Sequence, residues 1–187
     1  MINAILKNKS MPVRITVKSI IAVFLAAMAA VLPQIAHFFG GSAAGAVYLP
    51  MYAPALIAGC ILGWQWGLGV GALSPVVSFA FTSAFAQTAM PAAARLPYMI
   101  AELAVFGLVS GLFAKKIEKN ALFAFPAVIC AQIAGRFVYF AAATAFGQSP
   151  SAVWATIESG LAGLYIQAAV VPVIVLLLSL AVKHDRD

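Results

Sequence analysis

Charge is what this sequence has least of. Only 9% of its 187 residues are Asp, Glu, Lys or Arg, against roughly a quarter in soluble domains. Five acidic residues and two histidines leave little material for acid–base or metal chemistry. His37 and His184 fall near opposite membrane faces, so neither a histidine metal pair nor a haem held between helices is expected. No Gly-x-x-x-x-Gly-Lys-Ser/Thr loop occurs, which excludes P-loop ATP hydrolysis by this chain. Gly67-x-Gly69-x-Gly71 lacks the strand–helix context of a dinucleotide fingerprint. Ser110 precedes Gly111, but no histidine is placed to activate it, so an intramembrane serine protease is not expected. The chain is read as no enzyme, with no cofactor. Its two cysteines, Cys60 and Cys130, lie in apolar runs and are read as packed thiols, not a disulfide.

Apolar residues fill the space that charge leaves. They make up 64% of the chain, and its length accommodates about six runs of roughly 20 residues, each enough to cross a bilayer. The expected spans are approximately 15–39, 49–64, 67–83, 97–114, 122–146 and 156–182. A small-residue loop with Gly40, Gly41 and Gly45 is expected after the first, and a tight turn at Gly63-Trp64-Gln65-Trp66-Gly67 after the second. The basic N-terminal segment runs into the first apolar stretch without a small-residue cleavage site, so it is read as a span and not a signal peptide. The fold class is an all-α integral membrane protein of six transmembrane helices forming a single domain, 1–187.

The net charge of +6 does not point to nucleic acid. The N-terminal segment holds Lys7, Lys9, Arg14 and Lys18, the connection after span four holds Lys115, Lys116 and Lys119, and the tail holds Lys183 and Arg186. Nine of the eleven basic residues therefore fall on one side, as the positive-inside rule requires of cytoplasmic loops. Both termini are expected in the cytoplasm, and the bilayer of the cell membrane is the expected surroundings.

Against this background a few polar residues stand out. Glu102 lies six residues into span four, roughly 9 Å deep at ~1.5 Å per residue. A carboxylate there is costly unless it is paired or faces water. Arg95, Tyr98, Glu102 and Phe106 share one helical stripe, and Gln132, Arg136 and Tyr139 form another on span five. Trp154, Glu158 and Tyr165, on span six and just before it, share a face near the same end. An outward-opening cavity would explain all three groups, with aromatic rings to stack on a planar ligand and charges to orient its polar edge. The plainer explanation is a structural Glu102–Arg136 ion pair tying spans four and five together. Gln167 lies on the opposite face from Glu158 and is read as helix–helix packing.

Small residues form a separate pattern. Ala22, Ala26 and Ala30 repeat every four residues on span one, and Gly59-xxx-Gly63 and Gly107-xxx-Gly111 repeat likewise on spans two and four. Such spacings let another backbone approach closely, inside the chain or from a partner.

The stretches "GAVYLPMYAPALIAGCILGWQWGLGVGALSP" (45–75) and "MPAAARLPYMIAELAVFGLVSGLFAKK" (90–116) resemble the substrate-binding S components of energy-coupling factor (ECF) vitamin transporters. The shared features are a Leu-Pro-Met opening of span two, Ala-Gly-x-x-Leu-Gly, a Ser-Pro in span three, and the set Glu102, Phe106, Gly107, Gly111 and Leu112. The resemblance covers roughly the middle 70 residues. It implies capture of a small water-soluble vitamin or precursor from outside, in a pocket lined largely by the last three spans. It also implies docking of a transmembrane coupling (T) subunit on Ala22, Ala26 and Ala30, with two ATPase subunits driving release inside. Two substrate chemistries stay open: Arg95 and Arg136 suit the carboxylate of pantothenate, whereas Glu102 or Glu158 suits an amino-pyrimidine stacked on Tyr98, Tyr139 or Trp154. The rival reading is a self-sufficient channel or secondary transporter with Glu102 and Arg136 as an ion or proton relay, although no internal repeat of the kind common in such transporters is evident. A third is a structural subunit with its charges paired throughout.

Overall fold

The computed structural model describes residues 10–85 and 91–184. Within them the chain forms helices α1 (Met11–Tyr48), α2 (Tyr52–Leu62), α3 (Trp64–Phe85), α4 (Leu96–Leu112), α5 (Ala114–Lys119), α6 (Ala124–Ala145), α7 (Pro150–Ser159) and α8 (Leu161–His184). Short 3-10 turns at Ala93–Arg95 and Ala121–Phe123 lead into α4 and α6. No strand occurs among the described residues.

Among the described residues, five helical segments are long and apolar enough to cross a membrane: Met11–Gly40, Trp64–Ala84, Ala93–Leu112, Ala121–Ala145 and Leu161–Val182. The expected second span differs. Its helix, α2, has 11 residues, about 16 Å of rise, roughly half of a ~30 Å hydrocarbon core. Its length is tolerated because nine of those residues are buried among neighbouring helices, so protein and not lipid surrounds it. Two other expectations need correction. The loop expected at Gly40, Gly41 and Gly45 is helical, and α1 continues to Tyr48. The expected sixth span is broken at Gly160, which separates the short α7 from the long α8.

Large apolar side chains cover much of the outside. Phe137 is 74% exposed, and Val23, Phe24 and Leu177 are also turned outward. In water such a surface would be an aggregation hazard, but hydrocarbon is its natural solvent. The chain is thus a helical protein of the multi-pass membrane class.

The interior depends on α4. Its Gly107 packs against the backbone of Gly67 on α3, and Gly71 faces the carbonyl of Leu103. Gly59 on α2 meets Gly107 and Ser110, and Gly111 meets Trp64. A Cβ at any of these positions would collide with neighbouring atoms, so the glycine spacings serve close packing inside the chain. Gly63 is different: with φ of +100° it supports the turn between α2 and α3. Ala22, Ala26 and Ala30 are likewise buried, the first two in the main core with Leu25, Leu56 and Leu62. Neither cysteine is in a disulfide, yet only Cys60 is a packed thiol. Cys130 lies on the exposed side of α6 with Ile129 and Ile133, although Val128 and Ala131 beside it in sequence are turned into the core.

Candidate functional site

Three helices bring their polar groups to one point. Glu102 on α4 is fully buried, and its Oε2 accepts a hydrogen bond from the Tyr52 hydroxyl at 2.7 Å. Its Oε1 lies 2.9 Å from Arg136 Nη1 on α6, an ion pair whose alignment falls short of a directional hydrogen bond. The Arg136 side chain is 11% exposed. Its guanidinium sits over two rings, 5.4 Å from the centre of Tyr52 and 5.7 Å from that of Tyr139. Aromatic faces attract a cation held in such a place. Tyr52 in turn stands edge-on to Phe106 at 5.1 Å.

Outward from this pair, Tyr98 and Tyr139 meet edge to face at 5.4 Å, and Phe146 lies 6.5 Å from Tyr98. The apolar side of α7 closes over the tyrosines through Val153 and Ile157. The N-terminus of α7 is fixed by Ser149, whose hydroxyl accepts from the Ala152 amide, as helix caps do. Pro150 at the first helical position reinforces that start.

The nine residues expected to bind substrate thus divide. Tyr98, Glu102, Arg136 and Tyr139 come together as one cluster. Arg95 is exposed at its edge and within electrostatic reach of Tyr139. Gln132 is buried but turned to α8, where its Nε2 donates to the Leu164 carbonyl at 2.9 Å. Trp154, Glu158 and Tyr165 stand apart: Trp154 is 62% and Tyr165 72% exposed, and Glu158 lies on the same outward side of α7. The break at Gly160 puts Tyr165 on a different helix from the other two, so their common helical face does not exist.

Tyr52 was not among the expected site residues, yet it is Glu102's closest hydrogen-bond partner described. Its signal was present in the sequence, as the one hydroxyl-bearing aromatic in the apolar stretch 52–62. Nothing in the order of residues shows that α2 runs beside α4.

Gln167 also does more than fill space. Its Nε2 donates to the carbonyls of Leu49 at 2.7 Å and Tyr48 at 3.2 Å. These flank Leu49, which has a positive φ of 48°, a conformation L-residues other than Asn and Asp seldom adopt. Gly163 leaves room for the same backbone, since a Cβ there would strike Val47 and Tyr48.

The arrangement holds an unmet demand. Among the described residues, Arg136 Nε and Nη2 are buried without a hydrogen-bond acceptor, and so is the amide nitrogen of Gln34 on α1. Buried donors normally find partners. A Cβ at Gly160 would lie 3.2 Å from Arg136 Nη2, so only glycine leaves that nitrogen its present room. The expected outward-opening hollow is closed in this structure, with Glu102 at 0% exposure. A groove of about 970 Å³ between α1 and α3 and a cavity of about 380 Å³ around Trp64 and Lys115 both lie away from the cluster. Among the described residues no group of three or more His, Cys, Asp or Glu side chains is placed to hold a metal ion.

No family model matches the chain, and no curated protein or solved structure matches it.

Proposed function

We propose that this chain is the substrate-binding membrane subunit of an ECF-type importer, taking a small, carboxylate-bearing vitamin or precursor from outside the cell. The observation that carries the proposal is the state of Arg136. One guanidinium nitrogen is held against Glu102, while Nε and Nη2 are buried and unmet. Those two nitrogens point along one edge of a planar fork, the geometry that a carboxylate meets with two parallel hydrogen bonds. Tyr98 and Tyr139 supply adjoining aromatic surface, and Arg95 at the rim attracts an anion toward the site. Glu102 is a poorer candidate for gripping an amino-pyrimidine, because Tyr52 and Arg136 already engage its oxygens. A pantothenate-like ligand is therefore favoured over a pyrimidine. Its admission requires α7 to lift from Tyr98 and Tyr139, with Gly160 as the break about which it turns. On the same reading, the transmembrane coupling subunit docks on α1 at Ala22, Ala26 and Ala30, reached through the groove that Ala22 and Ala26 line, and two ATPases power release.

The test is ligand binding by the full chain in mild detergent, with pantothenate and hydroxymethylpyrimidine as probes and native mass spectrometry of co-purified material beside them. The carboxylate probe binds, and Arg136→Ala weakens it by about tenfold or more, as loss of a charged hydrogen-bond partner costs ~1.5–3 kcal/mol. Binding of the pyrimidine alone, or unchanged affinity in Arg136→Ala, overturns the assignment. The structural ion-pair reading has its own support in the full burial of Glu102. It forecasts no ligand of either kind.

A further inference from the structure

The groove between α1 and α3 has its own chemistry, distinct from the cluster around Glu102. On α1 it follows one helical stripe in steps of four, through Arg14, Lys18, Ala22 and Ala26. The stripe begins with two cations and ends with two small apolar residues. Ser19 and Gln65 add polar groups near the cationic end, while Val70 and Leu73 on α3 wall the other. Polar and apolar halves are thus separated along the helix axis and not around it.

Dimensions fit this separation to a bilayer. The α1 lining runs from Met11 to Ala27, about 24 Å at ~1.5 Å per residue. That spans a headgroup layer and one leaflet's share, about 15 Å, of the hydrocarbon core. The cationic end also adjoins the second cavity, which Lys18, Lys115, Trp64 and Gln65 line together. Three separate parts of the chain therefore place basic and indole groups at one level, as a membrane–water interface demands. Glu118 lies within electrostatic reach of Lys18, so the local charge is mixed, with cations in excess.

We propose that this groove is a binding site for an anionic phospholipid. Its phosphate lies between Arg14 and Lys18, and an acyl chain runs over Ala22 and Ala26 toward Leu73. A zwitterionic lipid fits the apolar floor equally well but gains less at the mouth. Each basic side chain near an anionic headgroup is worth roughly fivefold in binding. The site does not depend on the vitamin-binding reading, although a coupling subunit docked on the same face would compete with the lipid.

Native mass spectrometry of the full-length protein, exchanged into detergent with phosphatidylglycerol or phosphatidylcholine of identical acyl chains, tests the proposal. Phosphatidylglycerol is retained about tenfold better by the unaltered chain, and Arg14→Gln with Lys18→Gln reduces the preference to parity. Ala26→Phe, which fills the floor without touching charge, lowers retention of both lipids. Lys119→Gln, a change of charge outside the groove, leaves the preference intact. Equal retention of the two lipids by the unaltered chain overturns the proposal, as does a preference that survives the double substitution. Displacement of the lipid by millimolar glycerol 1-phosphate would assign the cations to a free phosphate ester. Lipid-free dimers would assign the groove to a second copy. Either result also overturns it.

Discussion

Replacing Arg136 with methionine while Glu102 remains should destabilise the protein more than replacing both charges together. Glu102 is fully buried and its Oε1 lies 2.9 Å from Arg136 Nη1. Removing one member of such a pair leaves an uncompensated charge and costs about 3–5 kcal/mol. Replacing the pair by apolar residues of similar volume is often neutral or better. In Glu102→Leu with Arg136→Met the principal remaining loss is the acceptor for the Tyr52 hydroxyl, a buried donor left unmet at about 1–3 kcal/mol. The double variant should therefore be more stable than Arg136→Met alone by roughly 2 kcal/mol, the difference between those ranges. Adding Tyr52→Phe should recover most of what the double variant lost. Reversible unfolding in mixed micelles, followed by tryptophan fluorescence and circular dichroism, reads the unaltered protein, the single variants Arg136→Met and Glu102→Leu, the double variant and the triple one. Additive single-variant effects, within about 0.5 kcal/mol, would show that the two charges do not sense each other and would refute the reasoning.

Two further substitutions probe the frame that holds the pair. Gly67→Val places a branched side chain against the Gly107 carbonyl, so α3 and α4 must separate; the expected result is loss of folded protein on gel filtration, whereas Gly69→Val, whose Cβ meets nothing within 4 Å, is tolerated. Gln167→Leu removes the donor to the Leu49 and Tyr48 carbonyls; it should cost about 1–3 kcal/mol in the same unfolding assay and speed protease cleavage at 48–51, and an unchanged cleavage rate would show that this turn is held by other contacts.

Much of the fold could be read from the chain because bilayer length is written in apolar runs. The expected spans over 97–114 and 122–146 fall within a few residues of α4 and α6. The errors have separate causes. Apolar content reports that a segment avoids water, not whether lipid or protein replaces it, so the short buried α2 read as a full span and Cys130 looked packed. The segment after Phe39 looked like a loop because of its glycines, which α1 runs straight through. In the site, Glu102, Arg136, Tyr98 and Tyr139 were legible because charge and hydroxyls are rare enough in this sequence to stand out. Tyr52 was missed because its role rests on α2 lying against α4. Trp154, Glu158 and Tyr165 were grouped by a helical periodicity that Gly160 interrupts.

The electrostatics of the cluster and the packing of the glycines are a single problem. An arginine and a glutamate on separate helices hold each other in low dielectric only if their backbones are fixed to within a fraction of the 2.9 Å that separates them. α4 supplies Glu102 one turn before Phe106 and Gly107, and the latter locks it against Gly67. Gly135, adjacent to Arg136 on α6, leaves room for the Phe106 ring that would otherwise force α6 away. A bulkier residue at Gly135 would therefore act on the ion pair without touching it, by moving Arg136 out of reach of Glu102. The two small-residue contacts that flank the charged pair are thus a condition for burying charge here at all.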